Sequence, residues 1–391
     1  MTEARPVGAI VVGGDYQGLG IIRSLGRHGI QTCVVDDERS VGKFSRYATH
    51  SLRVPDLRDG EVAVDATLAA AKRFGLNGWV LFPTRDEHVA AFSLARDRLG
   101  EVLRVPTPPW EVVRWACDKR NTYARAEELG IPTPRSWRLE SAEQVADVDG
   151  EPPWAIKPAI KENFIHETKD KAWRADSRDE LQSLVQRAAQ IVGPGEVIVQ
   201  ELIPGGGESQ YAYCALFRDG DALASMVAQR RRQHPPEFGR ASTYVRTVEM
   251  DELEELSLTF LRSIGYYGLV ELEFKLDSRD GRPKLLDVNA RTWGYHTLGW
   301  CAGVDFPYLL YRDQIGEPVD AGRAVAGRSW VRLVTDLPTG VLEISSRRIR
   351  VRDYIRTVRR SDTEAVFAKD DILPGLVELA LIPYLAVRRG F

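Results

Sequence analysis

Five polar side chains recur at alternating positions on either side of residue 280 and have the chemistry of a metal–phosphate site: Glu271, Glu273, Asp287, Asn289 and Arg291. Carboxylate and amide oxygens suit a hard cation, and Mg²⁺ is commonly held by one or two carboxylates together with phosphate oxygens. The guanidinium, next on the same face, would meet an anion. The residue types therefore predict a site for Mg²⁺ and a phosphorylated ligand.

Two alternating runs must position these side chains. In residues 269–276, and again in residues 284–291, polar and apolar side chains alternate with the period of a β-strand. Residues 277–282, DSRDGR, have the composition of a tight turn. The runs therefore predict a β-hairpin, with Leu286 on the apolar face and Leu285 on the polar face.

The position of the turn fixes which residues of the hairpin face each other. A turn centred near residue 280 sets Glu273 opposite Asp287 and Glu271 opposite Asn289. Because like charges opposed across two strands destabilise a sheet, the two carboxylates are expected to need a cation. Neutral substitution of either one is predicted to leave the metal-free protein folded or more stable. The alternative is an amphipathic hairpin whose polar face is solvated.

Composition and charge limit the class of protein. The 391 residues suffice for two or three domains, and 43% hydrophobic with 28% charged residues is ordinary for a globular chain. A net charge of −3 gives no general attraction to nucleic acid. The N-terminus lacks a signal-peptide core, and no run of about 18 apolar residues occurs. The cysteines form no CxxC pair, which predicts reduced thiols in a cytoplasmic protein: Cys33, Cys117, Cys214 and Cys301.

Residues 1–115 are predicted to form a Rossmann-like domain. An apolar run, residues 7–12, ends in two glycines and is followed by a helical segment, residues 18–29, and a second short strand. This order predicts a βαβ unit. The sequence GGDYQGLG does not match GxGxxG, and its third-glycine position is Arg23. A dinucleotide site with Asp36 on a ribose is therefore the disfavoured alternative, and no NAD binding is expected.

A further buried strand, residues 79–82, runs into the polar sequence PTRDEH. Ligands of open α/β sheets bind outside the carboxyl ends of the strands, so Arg85, Asp86 and Glu87 are predicted to contact a polar substrate. The alternative for the two acids is a solvated helix N-terminus. The Pro-rich residues 105–110 mark the first domain boundary.

Residues 116–325 carry a lysine and a glycine-rich connection suited to a nucleotide. Lys157 ends an apolar strand, where its ammonium could reach a phosphate. Another strand, residues 197–202, runs into residues 203–208, IPGGGE. The backbone of this connection is predicted to meet a nucleobase edge, and Glu208 to hold ribose hydroxyls.

Five segments in this order resemble the ATP-grasp superfamily, and within it the carboxylate–amine ligases and D-aspartate ligase-like proteins: Lys119, IKP at 156–158, QELIPGGGE at 200–208, VELEF at 270–274 and LLDVNAR at 285–291. The resemblance spans most of the chain. It implies an α/β fold, with a Rossmann-like domain followed by two α+β lobes that close on ATP about a hinge near residues 203–208. It also implies ATP and Mg²⁺ as cofactors, with Mn²⁺ as a substitute ion.

The resemblance implies a role for each residue that matches. ATP phosphates would be bound by Lys119 and Lys157, adenine by Gln200, Glu201, Leu202 and Ile203, and ribose by Glu208. The metal ligands would be Glu273, Asp287 and Asn289. Arg291 would steady the phosphate or acyl phosphate, and with Lys157 would act in catalysis.

Two features depart from the family pattern. Asp287 stands where glutamate is usual, so the hairpin must come closer or the metal must shift. Residues 159–192 replace a glycine-rich loop and contain no glycine. Their basic side chains either clamp phosphates or line a solvated loop: Lys161, Lys169, Lys171 and Arg174.

Other candidate substrate contacts lie outside these motifs. Residues 229–239, QRRRQHPPEFG, are predicted to form a loop between two strands, in which Arg231 and Arg232 suit a carboxylate or phosphate. A plain surface loop is the alternative. His296 is a further candidate for substrate contact, with simple packing as its alternative.

Residues 326–391 are predicted to form a basic and apolar helical tail. Residues 347–360 contain seven arginines, and residues 373–387 are apolar but interrupted by prolines and a glycine. Such a tail could lie on an anionic membrane surface. Docking on the body of the protein, or on a second subunit of a homodimer, is the favoured alternative.

These observations predict an ATP-dependent ligase acting on a small carboxylate and an amine through an acyl phosphate. The alternatives are another ATP-grasp chemistry, such as carboxylation or thiol ligation, a nucleotide-binding regulator without catalysis, and an NAD oxidoreductase. No P-loop GxxxxGK[ST] occurs, which excludes a Walker-type ATPase.

Overall fold

In the computed structural model, which describes residues 6–236, 238–239 and 241–389, three β-sheets and their flanking helices form a mixed α/β fold. The N-terminal sheet is wholly parallel, in the order β3-β2-β1-β4. Its strands are β1 Ala9–Val12, β2 Thr32–Asp36, β3 Ala48–Arg53 and β4 Val80–Pro83. The helices of this part are α1 Tyr16–Arg27, α2 Gly60–Phe74, α3 Asp86–Leu94, α4 Arg96–Gly100 and α5 Trp110–Cys117.

A tight glycine turn links β1 to α1. Gly13 has φ +97°, and a Cβ there would lie 2.0 Å from Thr84 Oγ1, so only glycine fits without a shift. The Gly14 N–H donates to Asp36 Oδ2 at 2.8 Å. Asp36, considered above as a ribose ligand, therefore closes the turn.

The second sheet is antiparallel, in the order β5-β8-β6-β7. Its strands are β5 Ser136–Leu139, β6 Trp154–Pro158, β7 Trp173–Ala175 and β8 Val197–Glu201, and the associated helices are α6 Lys119–Glu128, α7 Lys161–Thr168 and α8 Arg178–Val192. The predicted loop over residues 159–192 is thus wrong over most of its length, because Phe164, Leu181 and Val185 are buried against this sheet. The Lys161 side chain lies outside the described part of the structure.

The third sheet carries the hairpin. Its order is β13-β12-β9-β10-β11-β15-β16, with β14 beside β10. The strands are β9 Gln210–Arg218, β10 Asp221–His234, β11 Ala241–Val248, β12 Gly268–Leu276, β13 Pro283–Asn289, β14 Gly322–Arg323, β15 Ser329–Val331 and β16 Thr363–Glu364. The helices are α9 Asp251–Ser263, α10 Thr297–Cys301, α11 Phe306–Gln314, α12 Leu333–Ser345, α13 Val351–Arg359 and α14 Leu373–Arg389.

Two sequence-based boundaries differ from this sheet. Residues 229–234 are predicted as loop but end β10, where they pair with β11; Gln229 and Arg230 also pair with β9. Glu237, in the rest of that predicted loop, lies outside the described residues. The C-terminal segment supplies β15 and β16 to the sheet, so it is not a purely helical tail.

The C-terminal segment is held to the body by buried ion pairs. Arg23 of α1 contacts Asp371 at 2.9 Å, and Arg232 of β10 contacts Asp336 of α12 at 2.8 Å. All four side chains are at most 6% exposed. This arrangement matches the favoured expectation of docking on the body. Among the described residues, no helix is both long enough and apolar enough to cross a membrane.

The hairpin pairs in the predicted register. Glu273 faces Asp287 and Glu271 faces Asn289 across β12 and β13. A bulge follows, because Phe274 pairs with Leu285 and one residue of β13 is left over. The predicted faces of the two leucines are therefore wrong: Leu285 is fully buried in the core, and Leu286 lines a cavity.

Candidate functional site

A cavity of about 1330 Å³ opens between the second and third sheets. Its wall contains the residues predicted to meet adenine and ribose, namely Gln200, Glu201, Leu202, Ile203 and Glu208. Lys157 and Lys275 line it as well, and Leu286 presents an apolar surface through the bulge. The cavity therefore combines an apolar surface at Leu286, the end of strand β8 and two lysines, and this combination suits a nucleotide.

Both predicted phosphate lysines have polar partners, and Lys157 is the one of the two that lines this cavity. Lys157 Nζ donates to Gln200 Oε1 at 2.6 Å, and Gln200 Nε2 donates to Ser136 Oγ at 2.9 Å. Lys119 Nζ lies 2.6 Å from Asp287 Oδ1. Desolvation by the surrounding protein, together with the nearby Lys119 ammonium, lowers the pKa of Lys157 to about 7. An anionic ligand would restore its charge.

The opposed carboxylates of the hairpin each have a cation in the apo protein. Asp287 pairs with Lys119, and Glu273 Oε2 lies 3.1 Å from the guanidinium of Arg230 on β10. Because of these counter-ions we expect a loss of stability on neutralising either carboxylate, opposite to the gain predicted from the sequence: neutralisation would deprive a largely buried cation of its partner. Reasoning from strand alternation alone missed these counter-ions.

A third carboxyl, Glu271, is buried beside this pair. It accepts the Tyr295 hydroxyl at 2.5 Å, and Asn289 Nδ2 donates to Glu271 at 3.0 Å and to Glu273 at 3.1 Å. Burial, and next the charge of Glu273, raise the pKa of Glu271 to about 7. The hairpin thus carries a hydrogen-bonded acidic cluster rather than two isolated carboxylates.

The acidic cluster is a candidate site for Mg²⁺. Among the described residues, no group of three or more His, Cys, Asp or Glu side chains could hold a metal on its own. Glu273, Asp287 and Asn289 offer two carboxylates and an amide, which is the oxygen set Mg²⁺ takes when phosphates complete its shell. The residues fit a metal that arrives with a nucleotide.

A second cavity, of about 360 Å³, is lined by Glu271, Glu273 and Asn289 of the acidic cluster. Residues from the carboxyl ends of the N-terminal strands, including Asp15, Arg85, Asp86 and Glu87, line one wall. Arg230, Glu271, Glu273, Asn289 and Arg291 line the opposite wall, and Lys171 of the second lobe joins them. The cavity is small and strongly polar, as suits a small charged substrate.

Arg291 is held by the N-terminal part of the chain. Its guanidinium makes a two-point contact with Asp86, at 2.8 and 2.9 Å. Burial alone would lower the pKa of Arg291, but the Asp86 carboxylate outweighs it and the pKa is raised. Arg85 is likewise paired, at 2.8 Å from Asp37 and 3.4 Å from Asp36.

The structure does not bring every predicted residue to the cleft. Arg232 pairs with Asp336 of α12 through two contacts of 2.8 Å and is 5% exposed. His296 is buried, with Nδ1 2.9 Å from the Trp293 carbonyl, and desolvation lowers its pKa to about 4. Neither residue lines the two cavities, because each faces a packed interface; Arg231 does line the larger one.

Comparison with known proteins gives consistent relatives. No protein-family model matches the chain. A D-aspartate ligase from Enterococcus faecium is 24% identical over 298 residues, covering 72% of this chain and 70% of that protein. An L-amino acid ligase from Bacillus licheniformis superposes with a TM-score of 0.61 at 17% identity, covering 80% of this chain and 75% of that one. The biotin carboxylase domain of a Hydrogenobacter thermophilus 2-oxoglutarate carboxylase, solved with MgADP and bicarbonate, gives 0.65 at 15% identity, covering 83% and 74%.

The sequence similarity and the fold both agree with the ATP-grasp superfamily. The resemblance carried by the five sequence segments is thereby confirmed at this level. The relatives are two ligases and a biotin carboxylase domain, so the comparison supports the fold without fixing the reaction.

Proposed function

We propose that this ATP-grasp protein is a ligase that joins a small carboxylate to an amine at the expense of ATP. The observation that carries the proposal is that one hairpin, β12–β13, lines two different cavities. The larger cavity has the volume and the lysines for a nucleotide, with Lys275 and Leu286 contributed by the hairpin. The smaller cavity holds Arg230 and Arg291 beside Glu271 and Glu273. The similarity to a D-aspartate ligase and an L-amino acid ligase supports an amine as the second substrate.

The reaction would run in two balanced steps. A carboxylate oxygen attacks the γ-phosphorus, the bond to the β-phosphate bridging oxygen breaks, and ADP leaves. The amine nitrogen then attacks the acyl carbon, inorganic phosphate leaves, and the nitrogen loses a proton to give the amide. Most of the catalysis is positioning and charge neutralisation, as in other phosphoryl transfers.

The residues of the cleft have distinct proposed tasks. Glu273, Asp287 and Asn289 would hold Mg²⁺, or Mn²⁺ in its place, which would neutralise the triphosphate. Lys119 would turn from Asp287 to a phosphate oxygen, so that its charge stays paired. Lys157 would meet the phosphates as well.

The smaller cavity would receive the carboxylate. Arg291 would orient it or its acyl phosphate, with Asp86 holding the guanidinium in place. The parallel sheet in the order β3-β2-β1-β4 supports a Rossmann-like N-terminal domain that serves as one wall of this substrate site.

Carboxylation is the second candidate, and the similarity to a biotin carboxylase domain favours it. Phosphate release from ATP, measured with a panel of amino acids and separately with bicarbonate, tests the two. We expect release only when both a carboxylic acid and an amine are present, with an amide detected by mass spectrometry. Release that needs bicarbonate alone would favour the carboxylase, and ATP binding without any release would favour the regulator.

A further inference from the structure

Lys275 lies on the polar face of β12, two residues beyond Glu273, and its ammonium reaches across the cleft wall. Its Nζ donates to the Ile203 carbonyl at 2.7 Å and to the Gly205 carbonyl at 2.6 Å. Lys275 is only 9% exposed. A buried ammonium aimed at two backbone carbonyls fixes the segment that carries them.

That segment, residues 203–208, is the predicted hinge and is here called the hinge segment. Gly205 adopts φ +95°, and a Cβ there would lie 2.3 Å from Ser209 Oγ. Glycine adopts this backbone conformation readily, whereas other residues rarely do. The two carbonyls held by Lys275 flank Pro204, which has no N–H to make a hydrogen bond of its own.

One peptide unit links Lys275 to the carboxylate predicted to bind ribose. The Gly205 carbonyl accepts from Lys275, and the N–H of the same peptide unit, on Gly206, donates to Glu208 Oε1 at 3.1 Å. Because the peptide unit is planar and its C=O and N–H point in opposite directions, fixing the carbonyl fixes the N–H. The orientation of Glu208 therefore depends on a lysine of the strand that carries the metal ligands.

The turn of the hairpin holds the chain just before the hinge segment in the same way. Glu201, the last residue of β8, lies 2.7 Å from Arg279 and 3.3 Å from Lys284. Both cations also contact Asp277, whose side chain is fully buried. The hairpin thus holds the chain just before the hinge segment and at Ile203 and Gly205 within it, and of these three cations Lys275 is the one that lines the cavity.

We propose that Lys275 is a positioning residue for the nucleoside end of ATP, acting through the hinge segment on Glu208. The inference rests on the proposed ATP site. It predicts that Lys275 sets the preference for a ribose hydroxyl, whereas the phosphate lysine Lys157 sets overall nucleotide affinity. These two effects are separable by experiment.

The experiment is calorimetric titration of the full chain with ADP and with 2′-deoxy- and 3′-deoxy-ADP, in the presence of Mg²⁺. We expect the wild type to bind ADP roughly tenfold more tightly than one of the deoxy analogues. Lys275→Met should reduce that ratio to about twofold, as should Glu208→Gln, and the double variant should show no further loss. Lys157→Ala should weaken all ligands while keeping the ratio.

Matched controls keep the inference falsifiable. Lys72→Met makes the same substitution on the exposed surface of α2 and should leave the ratio unchanged. Lys275→Arg keeps the charge and should preserve the fold, so it serves as the test variant if Lys275→Met unfolds. We expect its ADP-to-deoxy-ADP affinity ratio to lie between that of the wild type and twofold. A wild type that binds no ADP would overturn the proposed function, and this inference with it. A wild type that binds ADP, with either no ribose preference or a preference that both Lys275 variants keep, would overturn the inference alone.

Discussion

The pairing of Lys119 with Asp287 predicts that neutralising Asp287 lowers the stability of the protein, whereas strand alternation alone predicts no loss or a gain. Asp287→Asn removes the carboxylate that faces Lys119 at 2.6 Å, where the two side chains are 11% and 16% exposed. A hydrogen bond to a charged group of this kind contributes roughly 2 kcal/mol. With an unfolding entropy of about 2.1 cal/mol/K per residue over the whole chain, we expect Asp287→Asn to lower the melting temperature of the metal-free protein by roughly 2–3 °C.

The double-mutant cycle identifies the cause of that loss. Lys119→Met should destabilise by a similar amount, because it leaves the Asp287 carboxylate without its cation. Lys119→Met combined with Asp287→Asn should lose clearly less than the sum of the two, since neither charge is then left unpaired. Thermal melts without Mg²⁺ and nucleotide measure all four proteins.

The same variants separate stability from catalysis. Phosphate release should fall at least about 100-fold in Asp287→Asn at temperatures where the variant is folded. Asp287→Glu should keep activity, because it restores the ligand usual in the family. If Asp287→Asn melts at or above the wild type without Mg²⁺, repulsion with Glu273 dominates and the counter-ion argument is refuted.

Three further predictions follow from the site. The pKa of Lys157 is lowered to about 7 in the free protein, and a bound phosphate would raise it, so above pH 7 the complex holds more protons than the free protein. ATP affinity should therefore fall as the pH rises from 7 to 9. Titration calorimetry measures this, and Lys157→Arg should show a flatter dependence of affinity on pH. Asp86→Asn leaves the buried Arg291 guanidinium without its two-point partner, and should raise the KM for the carboxylate substrate more than the KM for ATP in a phosphate-release assay. NADH should show no saturable binding at micromolar concentrations by fluorescence titration, because the Gly13 turn lacks the GxGxxG pattern and Asp36 is already engaged.

The hairpin was predictable because two independent signals agree in one short segment. Alternation gave the faces, the DSRDGR turn gave the register, and the observed pairs are Glu273 with Asp287 and Glu271 with Asn289. The bulge was not predictable, since Leu285 and Leu286 are identical in type and alternation cannot show which of them is the extra residue. Its consequence is that Leu286, rather than Leu285, lines the nucleotide cavity.

The errors elsewhere have related causes. The end of β10 reads as QRRRQH, a composition that favours a loop, yet pairing with β11 holds this stretch in the sheet, and β9 pairs with its first two residues. Strands β15 and β16 have three and two residues, too few to show a period. The counter-ions Lys119 and Arg230 lie 168 and 43 residues from their partners, a separation that only tertiary structure bridges.

The position of Asp86 gives the N-terminal domain a direct part in the proposed substrate site. Asp86 begins α3 at the carboxyl end of β4, and it holds Arg291 just beyond the end of β13. Gln17, in the first turn of α1, donates its side-chain amide to the carbonyls of Thr84 and Thr292, and so ties the same two elements together. Gln17, Thr84, Asp86 and Arg291 all line the smaller cavity. A substrate carboxylate that enters it would therefore contact residues of both domains, whereas the larger cavity, proposed for the nucleotide, is built mainly from the second and third sheets. Variation in the N-terminal loops could accordingly change which acid is used without altering how ATP is bound.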